Sequence, residues 1–80
     1  MSKQEIRSPL PGVFYRSANP NTPPYKTDGD LVAADDIIGL IEVMKSFHEV
    51  KAGLNGSAIR FLVDNEEAVM AGDVLAEIEG

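Results

Sequence analysis

The sequence predicts an all-β sandwich or barrel of about eight short strands. Three observations predict it: an internal repeat, β-branched residues where a helix would otherwise be read, and turn signals at even spacing. The repeat is the strongest. "IRSPLPGVFYR", Ile6 to Arg16, aligns with "VKAGLNGSAIR", Val50 to Arg60, at an offset of 44, matching Ile6 with Val50, Leu10 with Leu54, Gly12 with Gly56 and Arg16 with Arg60. "DLVAADDIIGLIE", Asp30 to Glu42, aligns with "EAVMAGDVLAEIE", Glu67 to Glu79, at an offset of 37. The first half therefore carries seven extra residues, and they fall between Arg16 and Asp30. Half a sandwich cannot bury its own apolar face, so the halves are expected to pack about a pseudo-two-fold axis.

Within each half the elements follow in the same order. A short extended piece leads to a Gly-started strand, Gly12 to Arg16 and Gly56 to Val63. A loop follows, then a turn inside "VAADDII" and "VMAGDVL", then a closing strand, Ile37 to Val43 and Val74 to Glu79. Gly72 supplies the positive φ such a turn wants, and Asp35 is expected to adopt it at the matching place. The rival reading makes Asp35 to Val50 a helix, because Ile37, Ile41, Met44 and His48 have helical spacing. Gly39 would then cost about 1 kcal/mol inside it, and the β-branched run from Ile37 to Val43 suits a buried strand better.

The two halves join at Val43-Met44-Lys45-Ser46, read as a tight hairpin turn. Two-residue hairpin turns favour Asn-Gly or Asp-Gly at the tip. Met-Lys breaks that rule and exposes an apolar side chain, and such local violations concentrate at functional positions.

Eighty residues at 44% apolar content make one small globular domain, residues 1–80. With no cysteine there is no disulfide framework or thiolate metal site. The net charge of -6 argues against nucleic-acid binding, which needs clustered Lys and Arg. Apolar runs are too short to span a membrane and no signal-peptide pattern stands at the N-terminus, so the expected location is the cytoplasm and no membrane partner is expected.

Lys45 is the residue to which the pattern points. A lysine acting as a base or forming a Schiff base needs burial to lose its proton. An exposed hairpin tip gives none, but it places the amine within reach of a modifying enzyme. The remaining polar residues carry less. His48, the sole histidine, has no second ligand set at metal spacing. Asp35-Asp36 is a turn pair, and Ser57 has no triad context. Phe14, Tyr15, Phe47 and Phe61 read as core or strand-packing residues.

Around Lys45 the chain resembles the biotin carboxyl carrier domains of the biotinyl/lipoyl attachment family. Glu42-Val43-Met44-Lys45 is similar to that family's Glu-Ala-Met-Lys-Met, and "SPLPGVFYR" (Ser8 to Arg16), Gly56 and "AGDVLAEIE" (Ala71 to Glu79) extend the likeness from about Ile6 to Glu79. Val43 and Ser46 depart from the pattern. The resemblance implies a flattened barrel of two four-stranded antiparallel sheets with the modified lysine at a hairpin tip. It implies covalent biotin on Lys45, with Glu42, Val43, Met44 and Ser46 forming the motif read by a biotin protein ligase. It also implies a non-catalytic carrier whose swinging arm serves biotin carboxylase and carboxyltransferase, most simply those of acetyl-CoA carboxylase in fatty acid biosynthesis.

Lipoyl domains of 2-oxoacid dehydrogenases, the alternative within the family, have Asp-Lys where this chain has Met44-Lys45. A third reading is an unmodified protein-binding module on the same fold. The extra residues within Ser17 to Gly29 are either a plain surface loop or an insertion that resembles the thumb of bacterial acetyl-CoA carboxylase carriers, a resemblance that implies Asn19, Asn21 or Thr22 meeting the biotin ring. The longer carriers also have an Ala/Pro-rich linker and an assembly segment, so the chain is expected to be a short carrier subunit or an excised domain.

Overall fold

Residues 3–79 are described by a computed structural model. Seven strands follow one another: β1 (Lys3–Arg7), β2 (Gly12–Tyr15), β3 (Ile37–Val43), β4 (Ser46–Lys51), β5 (Ala58–Phe61), β6 (Glu67–Val69) and β7 (Val74–Glu79). No helix forms across residues 35–50; the β-branched run and Gly39 prevail over the helical spacing, as expected. Two antiparallel sheets result, ordered β4-β3-β2-β6 and β1-β7-β5. The second sheet has three strands where four were expected, and residues 29–32 occupy the open place beside β5. Gly29 N–H donates to the Ile59 carbonyl, Ile59 N–H to Asp30, and Val32 and Gly56 exchange both of their backbone bonds. A single bridge, Val32–Gly56, is all the ladder that short contact makes.

The pseudo-two-fold is visible in the pairing itself. β4-β3-β2-β6 corresponds to β1-β7-β5 and the 29–32 segment, so each sheet draws strands from both halves. Both outer ladders carry a bulge at matching places, between Ile6 and Arg7 in β1 and between Ile37 and Gly39 in β3. Gly12 faces Val69 just as Gly56 faces Val32. A Cβ on Gly12 would strike the Glu42 carbonyl and Ile41, and one on Gly56 would strike Ile78 and the Glu79 carbonyl, so both positions exclude any side chain.

The repeat slips by one residue just before β5. Val13 pairs with Glu42 while Ala58 pairs with Glu79, so Phe14 corresponds to Ile59 and Tyr15 to Arg60. The Arg16–Arg60 match in the sequence is therefore not a structural one. Ser57 is the extra residue, and its N–H donates to the Glu79 carbonyl. Burial forces the slip, because it turns Phe14 and Ile59 inward together, at 0% and 1% exposure. The core between the sheets is built largely of such pairs: Ile6 with Val50, Val32 with Val69, Ile38 with Leu75, Ile41 with Ile78.

The two inter-strand turns also correspond. Asp36 N–H donates to the Ala33 carbonyl and Asp73 N–H to Met70, while the Asp36 and Asp73 carboxylates accept the Ala33 and Met70 N–H groups. Gly72 has the positive φ expected of it, 91°. Asp35 does not, contrary to expectation. The two turns thus share the same hydrogen bonds but not the left-handed residue.

Candidate attachment site

Val43 of β3 pairs with Ser46 of β4, leaving only Met44 and Lys45 to reverse the chain. Both have positive φ, 50° and 69°. Positive φ at both central positions is the type I′ geometry, whose twist matches that of the flanking strands. Met44 and Lys45 therefore sit in a conformation that costs a non-glycine residue roughly 1–2 kcal/mol. Met44 is 93% exposed. Lys45 is exposed as well, and its amine has no ion-pair or hydrogen-bond partner among the described residues. Lys3 of β1 pairs with Glu79 of β7 at the opposite end of the domain.

Three strands meet at the hairpin root on the outer face of the sheet. Glu42 on β3 stands opposite Phe47 on β4 and Val13 on β2. Tyr15 lies opposite Leu40, diagonal to Glu42 on the same face. Its hydroxyl donates to Glu42 Oε1 at 3.0 Å, and its ring meets Phe47 with centroids 5.9 Å apart. Leu40 is left only 8% exposed. Donation to Glu42 raises the Tyr15 phenol above its ordinary pKa, with further contributions from burial and from the Glu42 and Glu66 charges. Phe47 stays 56% exposed, so the strand-packing role expected of it is met on one face only.

The Ser17 to Gly29 segment is a loop knotted around Asn19. Asn19 Oδ1 accepts the Asn21 N–H at 2.9 Å. The Thr22 hydroxyl donates to the Asn19 carbonyl at 3.0 Å and accepts the Asn19 N–H at 3.2 Å. The Tyr25 N–H closes the loop onto the Arg16 carbonyl. Beyond that point the segment is pinned: Lys26 Nζ lies 3.0 Å from Asp36 Oδ2, and Asp28 accepts the Phe61 N–H. The Ala33 N–H, and then Lys26, hold the Asp36 carboxyl below its usual pKa.

A groove of about 620 Å³ separates the loop from the hairpin strand, with Ser17 to Pro20 on one wall and Tyr15 and Phe47 on the other. Of the three loop residues singled out in the sequence, Asn19 lines this groove; Asn21 and Thr22 are bonded back to Asn19. Asn65 and Glu66, not anticipated, close its floor. Glu66 has φ of 65° and its N–H donates to the Phe14 carbonyl. A non-glycine turn residue at the end of "DNEE" gives no sequence signal of that position.

His48 is exposed on β4, and the Ser57 hydroxyl donates to the Glu79 carbonyl. Among the described residues no cluster of His, Cys, Asp or Glu could hold a metal ion, and no helix is long and apolar enough to cross a membrane.

A two-sheet domain with a pseudo-two-fold repeat and, on a two-residue tip, a lysine unpaired among the described residues has the form of an attachment domain. The family model described as "Biotin-requiring enzyme", of the biotin/lipoyl type, matches residues 4–78, and the chain belongs to that family. Among its relatives is the biotin carboxyl carrier protein of acetyl-CoA carboxylase of Chlamydia pneumoniae, 41% identical over 73 residues, covering 91% of this chain and 44% of the relative. The protein of that name from Streptococcus pyogenes is 38% identical over 74 residues, covering 92% and 45%, and the one from Nostoc is 33% identical over 75 residues, covering 94% and 41%. The chain thus spans less than half the length of the curated relatives it matches.

Proposed function

We propose that residues 1–80 form a single biotinyl-attachment domain that carries biotin covalently on Lys45 for an acetyl-CoA carboxylase in the cytoplasm. The observation that carries this reading is the exposed type I′ tip, which holds one free amine where no fold requirement explains a lysine. The relatives named as biotin carboxyl carrier proteins support it. A biotin protein ligase would join Lys45 Nζ in amide linkage to the cofactor's activated carboxyl carbon, with loss of an amine proton and the activating group. Bound biotin would supply a ring that accepts and gives up a carboxyl group. The chain's own part is positional. The hairpin fixes where the amine stands, and the tether keeps the effective concentration at partner sites in about the mM range. The partners on this reading are the ligase, biotin carboxylase and carboxyltransferase, and the domain has no activity alone.

Glu42, Val43, Met44 and Ser46 bracket the amine and form the surface the ligase reads. Met44 favours biotin over lipoate: a 93% exposed methionine is a feature a ligase can contact, where lipoyl domains offer a carboxylate. The loop of residues 17–29 acts as a thumb, with Asn19 in the groove as the group nearest to meeting the ring and Asn21 and Thr22 shaping the loop around it. Co-expression with a biotin protein ligase followed by avidin blotting tests the attachment. Wild type gives a signal and Lys45→Arg gives none; a signal retained by Lys45→Arg overturns the assignment.

A further inference from the structure

We propose that Tyr15 is a positioning residue for the modification of Lys45: its hydroxyl fixes the Glu42 carboxylate while its ring clasps the hairpin root across β3. This rests on the reading that Lys45 is the modified residue.

The clasp is built by register. Glu42 is the residue of β3 just before the Val43–Ser46 pair that carries the tip, and Phe47 is its partner on β4. Tyr15 approaches from β2 on the other side of β3. It reaches over Leu40 to place its hydroxyl 3.0 Å from Glu42 Oε1 and its ring 5.9 Å from that of Phe47. One side chain thus ties all three strands at the base of a two-residue turn. Tilt or splay at this root is carried through the Val43–Ser46 pair to the amine, because neither Met44 nor Lys45 makes a side-chain hydrogen bond or ion pair among the described residues. The bond also selects one Glu42 rotamer. Oε1 is taken by the phenol, and Oε2, without a partner among the described residues, remains for a donor on a modifying enzyme.

The pseudo-two-fold supplies an internal control. At the opposite end of the domain Arg60 stands in place of Tyr15, Glu79 in place of Glu42, Lys3 in place of Phe47 and Glu77 in place of Leu40. These four are charged, with Lys3 Nζ 4.0 Å from Glu77 Oε1 and both partly exposed. The same backbone arrangement is therefore completed without an aromatic clasp, a buried leucine or a phenol–carboxylate bond. The pairing of three strands does not by itself call for them. They occur at the end that presents Lys45.

An aromatic pair could stabilise the sheet and do nothing more. The experiment separates that from positioning. Tyr15→Phe keeps the ring and removes only the bond to Glu42. Steady-state kinetics with a purified biotin protein ligase, varying the unmodified domain, are expected to show KM raised roughly fivefold with kcat little changed, as for loss of an interaction that orients a binding group. In a Glu42→Ala background the Tyr15→Phe change is expected to have no further effect on KM, because Tyr15 acts through that carboxylate. Arg60→Gln, at the equivalent place, leaves KM unaltered. An unchanged KM in Tyr15→Phe, or effects of Tyr15→Phe and Glu42→Ala that multiply, overturns the proposal. Incorporation into Lys45→Arg would instead overturn the attachment assignment, so the two failures are distinct.

Discussion

Replacing Met44-Lys45 by Asn-Gly asks whether the tip is held at a cost to stability. Both residues have left-handed φ, 50° and 69°. Relief at Lys45 amounts to about 1–2 kcal/mol, from which the extra chain entropy of a glycine removes about 0.5–1 kcal/mol. Asparagine tolerates the left-handed region better than methionine and adds a smaller gain at residue 44. Little packing is lost, since Met44 is 93% exposed. The net gain is about 1 kcal/mol, and for a domain of this size that raises the melting temperature by about 4–8 °C. Thermal unfolding followed by circular dichroism reads it directly. Met44→Asn/Lys45→Gly should melt higher than wild type while losing its modification by the ligase. A melting temperature equal to or below that of wild type would refute the claim that the tip sequence is strained and retained for another reason.

Gly39→Ala should destabilise the domain by about 1–3 kcal/mol, because its Cβ would lie 2.6 Å from the ring of fully buried Phe14 and 2.6 Å from the Tyr15 carbonyl; urea titration measures this, and a loss under half a kilocalorie would contradict the packing described. The Asp36 carboxyl is held below 3.8, so its stabilising contribution is present above that pH and lost as the pH falls through the lower folded-state value. The melting-temperature gap between wild type and Asp36→Asn should therefore stay constant near neutrality and close on acidification below 3.8. Replacing residues 18–23 by two glycines should change stability by only about 0.6 kcal/mol, since the Lys26 and Asp28 anchors remain; the ring protons of attached biotin should sharpen in NMR spectra, and unchanged line widths would make the segment a plain surface loop.

Much of this architecture was legible from spacing. Two offsets located the repeat, and the join between halves located the tip, because a hairpin linking adjacent strands has little freedom in length. The one-residue slip at Ser57 was not legible: Arg16 and Arg60 align well as letters, and only the pairing of Ala58 with Glu79 shows that Phe14 and Ile59 are the inward equivalents. The behaviour of Asp35 was misread for a related reason. The Asp36 and Asp73 turns carry the same side-chain and backbone bonds, yet only the second contains a left-handed residue, so matching letters did not carry over the φ of Gly72 to Asp35. The clasp of Tyr15, Glu42 and Phe47 depends on β2–β3 register, which no local signal sets, so Tyr15 read only as a packing aromatic.

On the proposed reading Lys45 is the attachment point for biotin. Intact-mass analysis of the protein from its native host, followed by peptide mapping, tests it most directly. The account predicts one biotinyl group per chain, mapped to the peptide containing Lys45. A lipoyl adduct, an unmodified chain, or biotin mapped to Lys26 or Lys51 would contradict it.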